Sequence, residues 1–326
     1  MRAAWYERQG PASEVLQVGE LPDPEPGTGE VRVRMRFSGV NPGDTKKRRG
    51  WLGSSMPYPR VIPHSDGAGV IDAVGDGVDP ARVGHRVWVY GAQSYRPYGT
   101  AAELTVVPTD LAVDLPDSVS DEIGACLGIP GITAHRAVFA DGPVEGATVL
   151  VHGLLGGVGT IAAQLAHWGG ARVIGTVRRA TDMESVNVPA VAAVVPLDLP
   201  DPASAIRELA EGGIDRIIEV AFSDNVDLDA AVAKNNTTIV AYATRQDRPD
   251  FPFWPMLFDN MTIRLIGSDD FSPAWKQRAA QDLTDAARDS ALSIKIGSPL
   301  PLDRVADAHE RVDQGSRERV LVDVRN

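Results

Sequence analysis

Hydrophobic positions change period once along this chain, and the change divides it. Over roughly the first 125 residues the pattern has period two or comes in short β-branched runs. "EVRVRMRFSGV" (30–40) alternates apolar and polar side chains, while "GAGVIDAVG" (67–75) and "HRVWVYG" (85–91) are compact strands bounded by glycine. Prolines and glycines punctuate these runs, "LPDPEPGTGE" (21–30) reads as a stiff surface loop, and no long helix is legible.

Near residue 120 the texture turns helical, in "SDEIGACLGIPGITAHRAVFADG" (120–142), with "GIPG" expected to interrupt the helix as a turn. From Thr148 strands and helices alternate. The strands are "TVLVHG", "ARVIGT", "AAVVPLD", "DRIIEVA", "TTIVAYA" and "MTIRLIGS"; the first helix between them spans about Gly157 to Trp168. Six apolar strands joined by helical crossovers predict a parallel sheet covered on both faces, a doubly wound α/β domain. The tail passes through "AWKQRAAQDLTDAARDSAL" and "ADAHERVDQG" to a last strand in "RVLVDVRN", which has no crossover partner and is expected to return to the first domain.

Composition narrows the function classes. A chain of 326 residues, 43% hydrophobic and 23% charged, fits two globular domains. The formal charge of −12 repels phosphate backbones and anionic lipid, so no nucleic-acid partner is expected. The one basic run, Lys46 to Arg49, reads as a solvated helix or loop face. A single cysteine, Cys126, excludes an internal disulfide and a multi-cysteine metal site. No apolar run reaches the ~20 residues of a membrane span, and the N-terminus lacks a signal-peptide core, so the expected location is cytoplasmic.

The candidate chemistry begins at "VHGLLGGVG" (151–159). A strand leading through Gly153, Gly156, Gly157, Val158 and Gly159 into a helix suits a pyrophosphate, because glycines admit close backbone approach and the helix N-terminus favours negative charge. The usual GxGxxG spacing would need glycine at 154, where Leu154 stands. The second strand ends "VIGTVRR". Gly175 and Thr176 occupy the place where an acid would bind a ribose diol, and Arg178 and Arg179 follow at once. Missing acid and added guanidiniums favour a 2′-phosphate, hence NADPH. Tyr242, Thr244 and Arg245 after the fifth strand and Ser268 after the sixth are further cofactor candidates, since ligands bind at the carboxyl ends of such strands.

Seven segments in order carry a resemblance over nearly the whole chain: "FSGVNPGDTKKRRG", "IPHSDGAGVIDAVGDGV", "VGHRVWVY", "YGTAAEL", "GIPGITAHRAVF", "VHGLLGGVG" and "DRIIEV". They resemble the medium-chain dehydrogenases/reductases, closest to the zinc-free quinone oxidoreductase, zeta-crystallin-like branch. The resemblance implies a GroES-like catalytic domain at 1–125 completed by 268–326, a Rossmann domain at 126–267, NADPH in the cleft and a homodimer. Zinc enzymes of the superfamily have a cysteine ligand in the segment matching "SGVNPGD" and a histidine followed by glutamate in the one matching "PHSDGAG". Here Ser38 and Asn41 stand in the first; in the second Asp66 takes the glutamate position, Ser65 the histidine position, and His64 is one residue early. Three well-directed ligands are lacking, so no metal is expected.

Without a Lewis acid, acceptors that spread charge over their own π-system fit best, namely quinones and α,β-unsaturated carbonyls. By resemblance Asn41 and Thr133 flank the nicotinamide. Asp44, three residues after Asn41, either orients it or caps the turn. Tyr58 and Trp51 belong to the segment that lines the substrate mouth in the family, where an aromatic stacks or donates, or else they are core. Three readings follow: an NADPH-dependent quinone reductase, a C=C reductase of enones, alkenals or enoyl thioesters, and a catalytically weak NADPH-binding protein.

Overall fold

The computed structural model describes residues 1–325, which divide into two compact units. The first comprises Met1–Pro130, Lys276–Arg288 and residues from Ile294 onward; the second comprises Gly131–Trp275 and Asp289–Ser293. The return to the first unit falls inside the Pro273–Arg288 helix, after Trp275.

In the first unit β1 (Arg2–Trp5) and β2 (Gln17–Glu20) form an antiparallel pair. The main strands are β3 (Glu30–Val40), β4 (Asp66–Val74), β5 (Arg86–Val89), β6 (Leu104–Pro108) and β7 (Ala112–Asp114). The alternation read in β3 is real: Val31, Val33 and Met35 point into the core, whereas Arg32 and Arg34 on the other face both pair with Asp72 of β4. Inward side chains including Ile71, Val87, Val89 and Val107 complete the cluster. Burying each such aliphatic side chain stabilises the fold by roughly 1.5–3 kcal/mol.

The second unit carries β8 (Thr148–Val151), β9 (Arg172–Val177), β10 (Ala193–Pro196), β11 (Ile214–Glu219), β12 (Ala233–Ala241) and β13 (Thr262–Leu265). All pairings are parallel, in the order β10-β9-β8-β11-β12-β13. Counted from β8 this is the doubly wound order 3-2-1-4-5-6, whose switch point lies between β8 and β11. Leu150, Ile174, Val195, Ile206, Ile217 and Ile239 form its core.

The chain ends with β14 (Leu300–Pro301) and β15 (Val320–Asp323); β15 lies antiparallel on β3, so the tail strand closes the first sheet.

One expectation is refined and another corrected. The helical stretch is interrupted, at residues 125–128 between the Asp121–Gly124 and Ile129–Phe139 helices, but only the first glycine of "GIPG" lies in the break: Ile129 opens the second helix, with Pro130 in its first turn, where a missing N–H costs nothing. The basic run is the end of the Pro42–Arg49 helix, and Arg48 there is 1% exposed rather than solvated. Its guanidinium reaches Asp313 at 2.8 Å, His309 Nδ1 at 3.3 Å and the Gly10 carbonyl. Among the described residues no helix is long and apolar enough to cross a membrane.

Candidate functional site

At the end of β8 the chain turns through Gly153, whose φ of +68° is left-handed and suits glycine. The Gly157–Trp168 helix begins at once, with Gly156 as its N-cap and no side chain capping it. The first-turn N–H groups of Gly157, Val158 and Gly159 therefore have no partner within the helix and no competing cap. Gly159 is required by packing, since a Cβ there would stand 2.4 Å from the Gly153 carbonyl oxygen. The result is a concave, N–H-lined turn that fits a pyrophosphate.

β9 runs to Val177, one residue beyond the strand end read from the sequence. Thr176 is wholly buried and its Oγ1 lies 2.9 Å from His152 Nδ1, so its hydroxyl is spent inside the unit. Arg178 and Arg179 follow, both exposed, and neither guanidinium has an ion pair or side-chain hydrogen bond among the described residues. Tyr242, Thr244, Arg245 and Ser268 fall just past the carboxyl ends of β12 and β13, at the same end of the sheet. Of these, Thr244 Oγ1 accepts from Ser223 N–H and Arg245 pairs with Asp224 at 3.1 Å, so part of their capacity is already used.

A group that sequence reasoning missed lies beneath this end. His152, the residue before Gly153, is buried with Glu219 and Asp229. Its Nε2 is 2.9 Å from Asp229 Oδ1 and 3.7 Å from Glu219 Oε2, and the three are the one His/Cys/Asp/Glu trio among the described residues whose donor atoms approach within 4.8 Å. Burial opposes charge on the imidazole, but Asp229 and Glu219 raise its pKa above the ordinary value; burial raises that of Glu219. Asn225 donates to Glu219. The ring ties the ends of β8, β9 and β11 together. The "VHG" and "IIEV" segments held its only sequence signal, polar residues at the ends of apolar strands.

In the first unit the structure brings Asn41, Asp44 and Asp66 together. Asn41 is the N-cap of the Pro42–Arg49 helix, and its N–H donates to Asp44 Oδ2 at 2.7 Å. Asp44 therefore both caps the turn and anchors Asn41, so the two alternatives left open by the sequence coincide. Burial, and then the charge of Asp66, push the Asp44 carboxyl up to about 7. Asn41 Nδ2 donates to Asp66 Oδ2 at 2.6 Å, and Asp66 Oδ1 accepts from Ile129 N–H at 2.8 Å.

His64 is buried at a left-handed φ of 76°, with Nδ1 2.7 Å from Ser38 Oγ and Nε2 2.9 Å from His309 Nε2. Burial lowers its pKa to about 3, so it is a neutral ring. Arg48 can only donate, which makes His309 Nδ1 an acceptor and sets every hydrogen in this chain of bonds: His309 donates to His64, His64 to Ser38, Ser38 to Thr100, and Thr100 to the Asp66 carbonyl.

Tyr58 has no bond to Asn41, Asp44 or Asp66 among the described residues. It packs half-buried against the Tyr6, Val15 and Val61 cluster and donates to the Tyr95 carbonyl. Trp51 is exposed, with Lys46 over its ring. Thr133 is buried in the second unit, on the Ile129–Phe139 helix.

Residues 27–117 match the family of the alcohol dehydrogenase GroES-like domain, and residues 157–284 match the family described as zinc-binding dehydrogenase. The quinone oxidoreductase of Homo sapiens is 32% identical over 316 residues, covering 95% of this chain and 93% of the human one. The chain belongs to the quinone oxidoreductase family of the medium-chain dehydrogenases/reductases. A mycobacterial quinone oxidoreductase shares the fold with a TM-score of 0.86 at 27% identity, covering 99% of this chain and all of that one. A mycobacterial protein solved as a complex with NADPH gives a TM-score of 0.83 at 26% identity, with coverage of 99% and 100%. Ser38 and His64 are bonded to each other, and Asn41 is bonded to Asp66.

Proposed function

We propose that this protein is an NADPH-dependent oxidoreductase that reduces quinones, with no metal in the hydride step. The observation that carries the cofactor reading is the pair of exposed, unpartnered guanidiniums, Arg178 and Arg179, directly after β9 and on the same sheet end as the uncapped glycine turn. The turn's N–H groups would hold the pyrophosphate, and the two arginines the 2′-phosphate. The NADPH-bound mycobacterial relative and the human quinone oxidoreductase support the same assignment.

When bound, reduced nicotinamide supplies hydride to an acceptor. By family resemblance Asn41 and Thr133 flank the nicotinamide, so Asn41 is assigned to the reacting end, and Ser268, past the carboxyl end of β13, is a candidate for an edge contact. A quinone or conjugated carbonyl spreads the arriving charge over its π-system, so the chain's task is orientation and a hydrogen bond, with the final proton taken from water. Metal independence is supported by the engagement of the would-be ligands: both ring nitrogens of His64 and both carboxyl oxygens of Asp66 have partners, and Ser65 replaces a histidine.

A homodimer is supported by β13, which among the described residues pairs with β12 and has no partner on its other edge. Next to it Trp254, Phe258 and Leu265 are 65%, 72% and 75% exposed, an apolar surface that a second copy would cover. Light scattering of the purified protein gives the mass directly.

The test of function is turnover of 1,4-benzoquinone and of an alkenal with NADPH and with NADH. Fast benzoquinone reduction that prefers NADPH supports the reading. Preference for the alkenal moves the reaction to C=C reduction, and tight NADPH binding without turnover of any acceptor leaves a binding protein. A preference for NADH overturns the cofactor assignment.

A further inference from the structure

Arg319, immediately before β15, is 8% exposed and carries a peculiar set of contacts. Its Nη1 donates to Asn41 Oδ1 at 3.1 Å and to the Val40 carbonyl at 3.4 Å. Its Nε and Nη2 are buried with no oxygen or nitrogen partner, and the Cys126 thiol, a weak acceptor, is the group beside the guanidinium. Leaving charged donors unpaired in the interior costs stability, and an apolar side chain of similar size would commonly serve the fold as well or better. The surroundings are nevertheless shaped for this group: at Gly39 a Cβ would stand 3.4 Å from Nη2 and 2.5 Å from the Ala125 carbonyl oxygen.

Asp66 holds the other end of the same amide. Gly128 makes room for it, because a Cβ there would lie 2.1 Å from Asp66 Oδ1. A guanidinium only donates and a carboxylate only accepts. The two ends of the Asn41 amide therefore cannot be exchanged: the carbonyl faces Arg319 and the NH2 faces Asp66. With the backbone N–H fixed on Asp44, the side chain keeps one uncommitted N–H on Nδ2.

We infer that Arg319 and Asp66 are positioning residues, clamping Asn41 so that it offers an N–H donor to the acceptor's oxygen as hydride arrives. This rests on Asn41 standing at the reacting end. In the step, the cofactor loses a hydride, the acceptor gains two electrons, and the negative charge that collects on its oxygen meets Asn41 Nδ2 before water protonates it. A free asparagine could present either face; a clamped one presents a donor from the outset and needs no reorganisation.

Arg319→Met and Arg319→Lys test the clamp, assayed with NADPH and 1,4-benzoquinone. Misplacing a group by about 1 Å can cost about 100-fold. Arg319→Met should lower kcat by about tenfold to 100-fold while the NADPH dissociation constant stays within about twofold and Tm holds or rises. Arg319→Lys should recover part of the rate. The pair Asn41→Asp/Asp66→Asn gives a second reading, since it restores a donor–acceptor bond and a partner for Arg319 but removes the outward N–H: Tm should recover relative to Asn41→Asp alone, and turnover should not. An unchanged kcat in Arg319→Met, or losses of Tm and NADPH affinity in step with kcat, overturns the inference. If the wild type reduces no quinone, the functional reading fails, and the clamp is then read from exchange of the Asn41 side-chain amide in 15N-labelled protein. Exchange at least about tenfold faster in Arg319→Met supports it; equal rates overturn it.

Discussion

The carboxyl end of β9 and the neighbourhood of β15 both carry arginines without full sets of partners, and the two settings are opposite. Arg178 and Arg179 are exposed and free of ion pairs. Arg319 is buried beside Asn41, and two of its nitrogens find no oxygen or nitrogen partner, only the weak Cys126 thiol nearby. In water an unpaired guanidinium costs the fold almost nothing, so its worth is set by what arrives from outside. Inside the protein the same group is expensive, and its worth lies in the neighbour it orients. Substitutions at the first place should therefore change ligand affinity, and those at the second should change rate.

The sharpest way to break that contrast is at the exposed end. Each charge-assisted bond to a 2′-phosphate contributes roughly 1.5–3 kcal/mol. Arg178→Ala/Arg179→Ala should weaken NADPH by about 100-fold or more, one substitution alone by about tenfold, with NADH scarcely affected. Fluorescence titration of both cofactors decides this, and equal losses for the two would mean the arginines support the site generally. An acid at Thr176 is not a useful companion change, because that side chain is bonded to His152 within the interior.

Next comes Asn41→Ala, expected to lower turnover by about 100-fold, at least as much as Arg319→Met, with little change in NADPH affinity, since it removes the donor itself. A loss of NADPH affinity as large as the loss of rate would erase the distinction between the two regions.

A smaller effect concerns Asp44. Its folded pKa of about 7 lies above the ordinary 3.8 of an aspartate carboxyl, so around neutral pH the native state holds a proton that the unfolded chain has already released. Stability from this group is fullest below about pH 4 and declines as pH rises toward 7. Asp44→Asn keeps an acceptor for the Asn41 N–H and removes the titration. Thermal melts from pH 5 to 8 should therefore fall more steeply for the wild type than for the variant; parallel curves would remove Asp44 from the pH dependence. Last and smallest is chelation: exhaustive dialysis against EDTA should leave benzoquinone reduction and Tm unchanged, and loss of stoichiometric zinc together with activity would refute metal independence.

Much of this was legible before any coordinates. The strands of the second unit follow from apolar runs separated by helical crossovers, and the glycine turn from its spacing, because both are consequences of local pattern. The clamp was not legible. Arg319 lies 278 residues from Asn41, in a tail whose sequence says only that it forms a strand. Asp66 was visible as the residue at the family's glutamate position but not as the acceptor for an amide. Arg48 looked like one cation in a solvated run, since nothing local discloses that His309 and Asp313 wait on a distant helix. The His152, Glu219 and Asp229 group escaped for the same reason: each sits on a separate element, and only the parallel sheet brings them together.

The division of the chain also sets an order of events during synthesis. The second unit is nearly continuous, from Gly131 to Trp275 with five further residues, and its partners emerge from the ribosome close together. The first unit is begun earlier yet lacks β15 on the edge of β3, and His309 and Arg319 for the polar groups near Asn41, until the chain through Asp323 has been made. Its early strands must wait, with an unpaired edge, while some 150 residues are made and folded, a long loop to close and a window in which edge pairing with another nascent chain is open. Removing the last ten residues should therefore harm the N-terminal sheet far more than the dinucleotide-type sheet that directly precedes the tail.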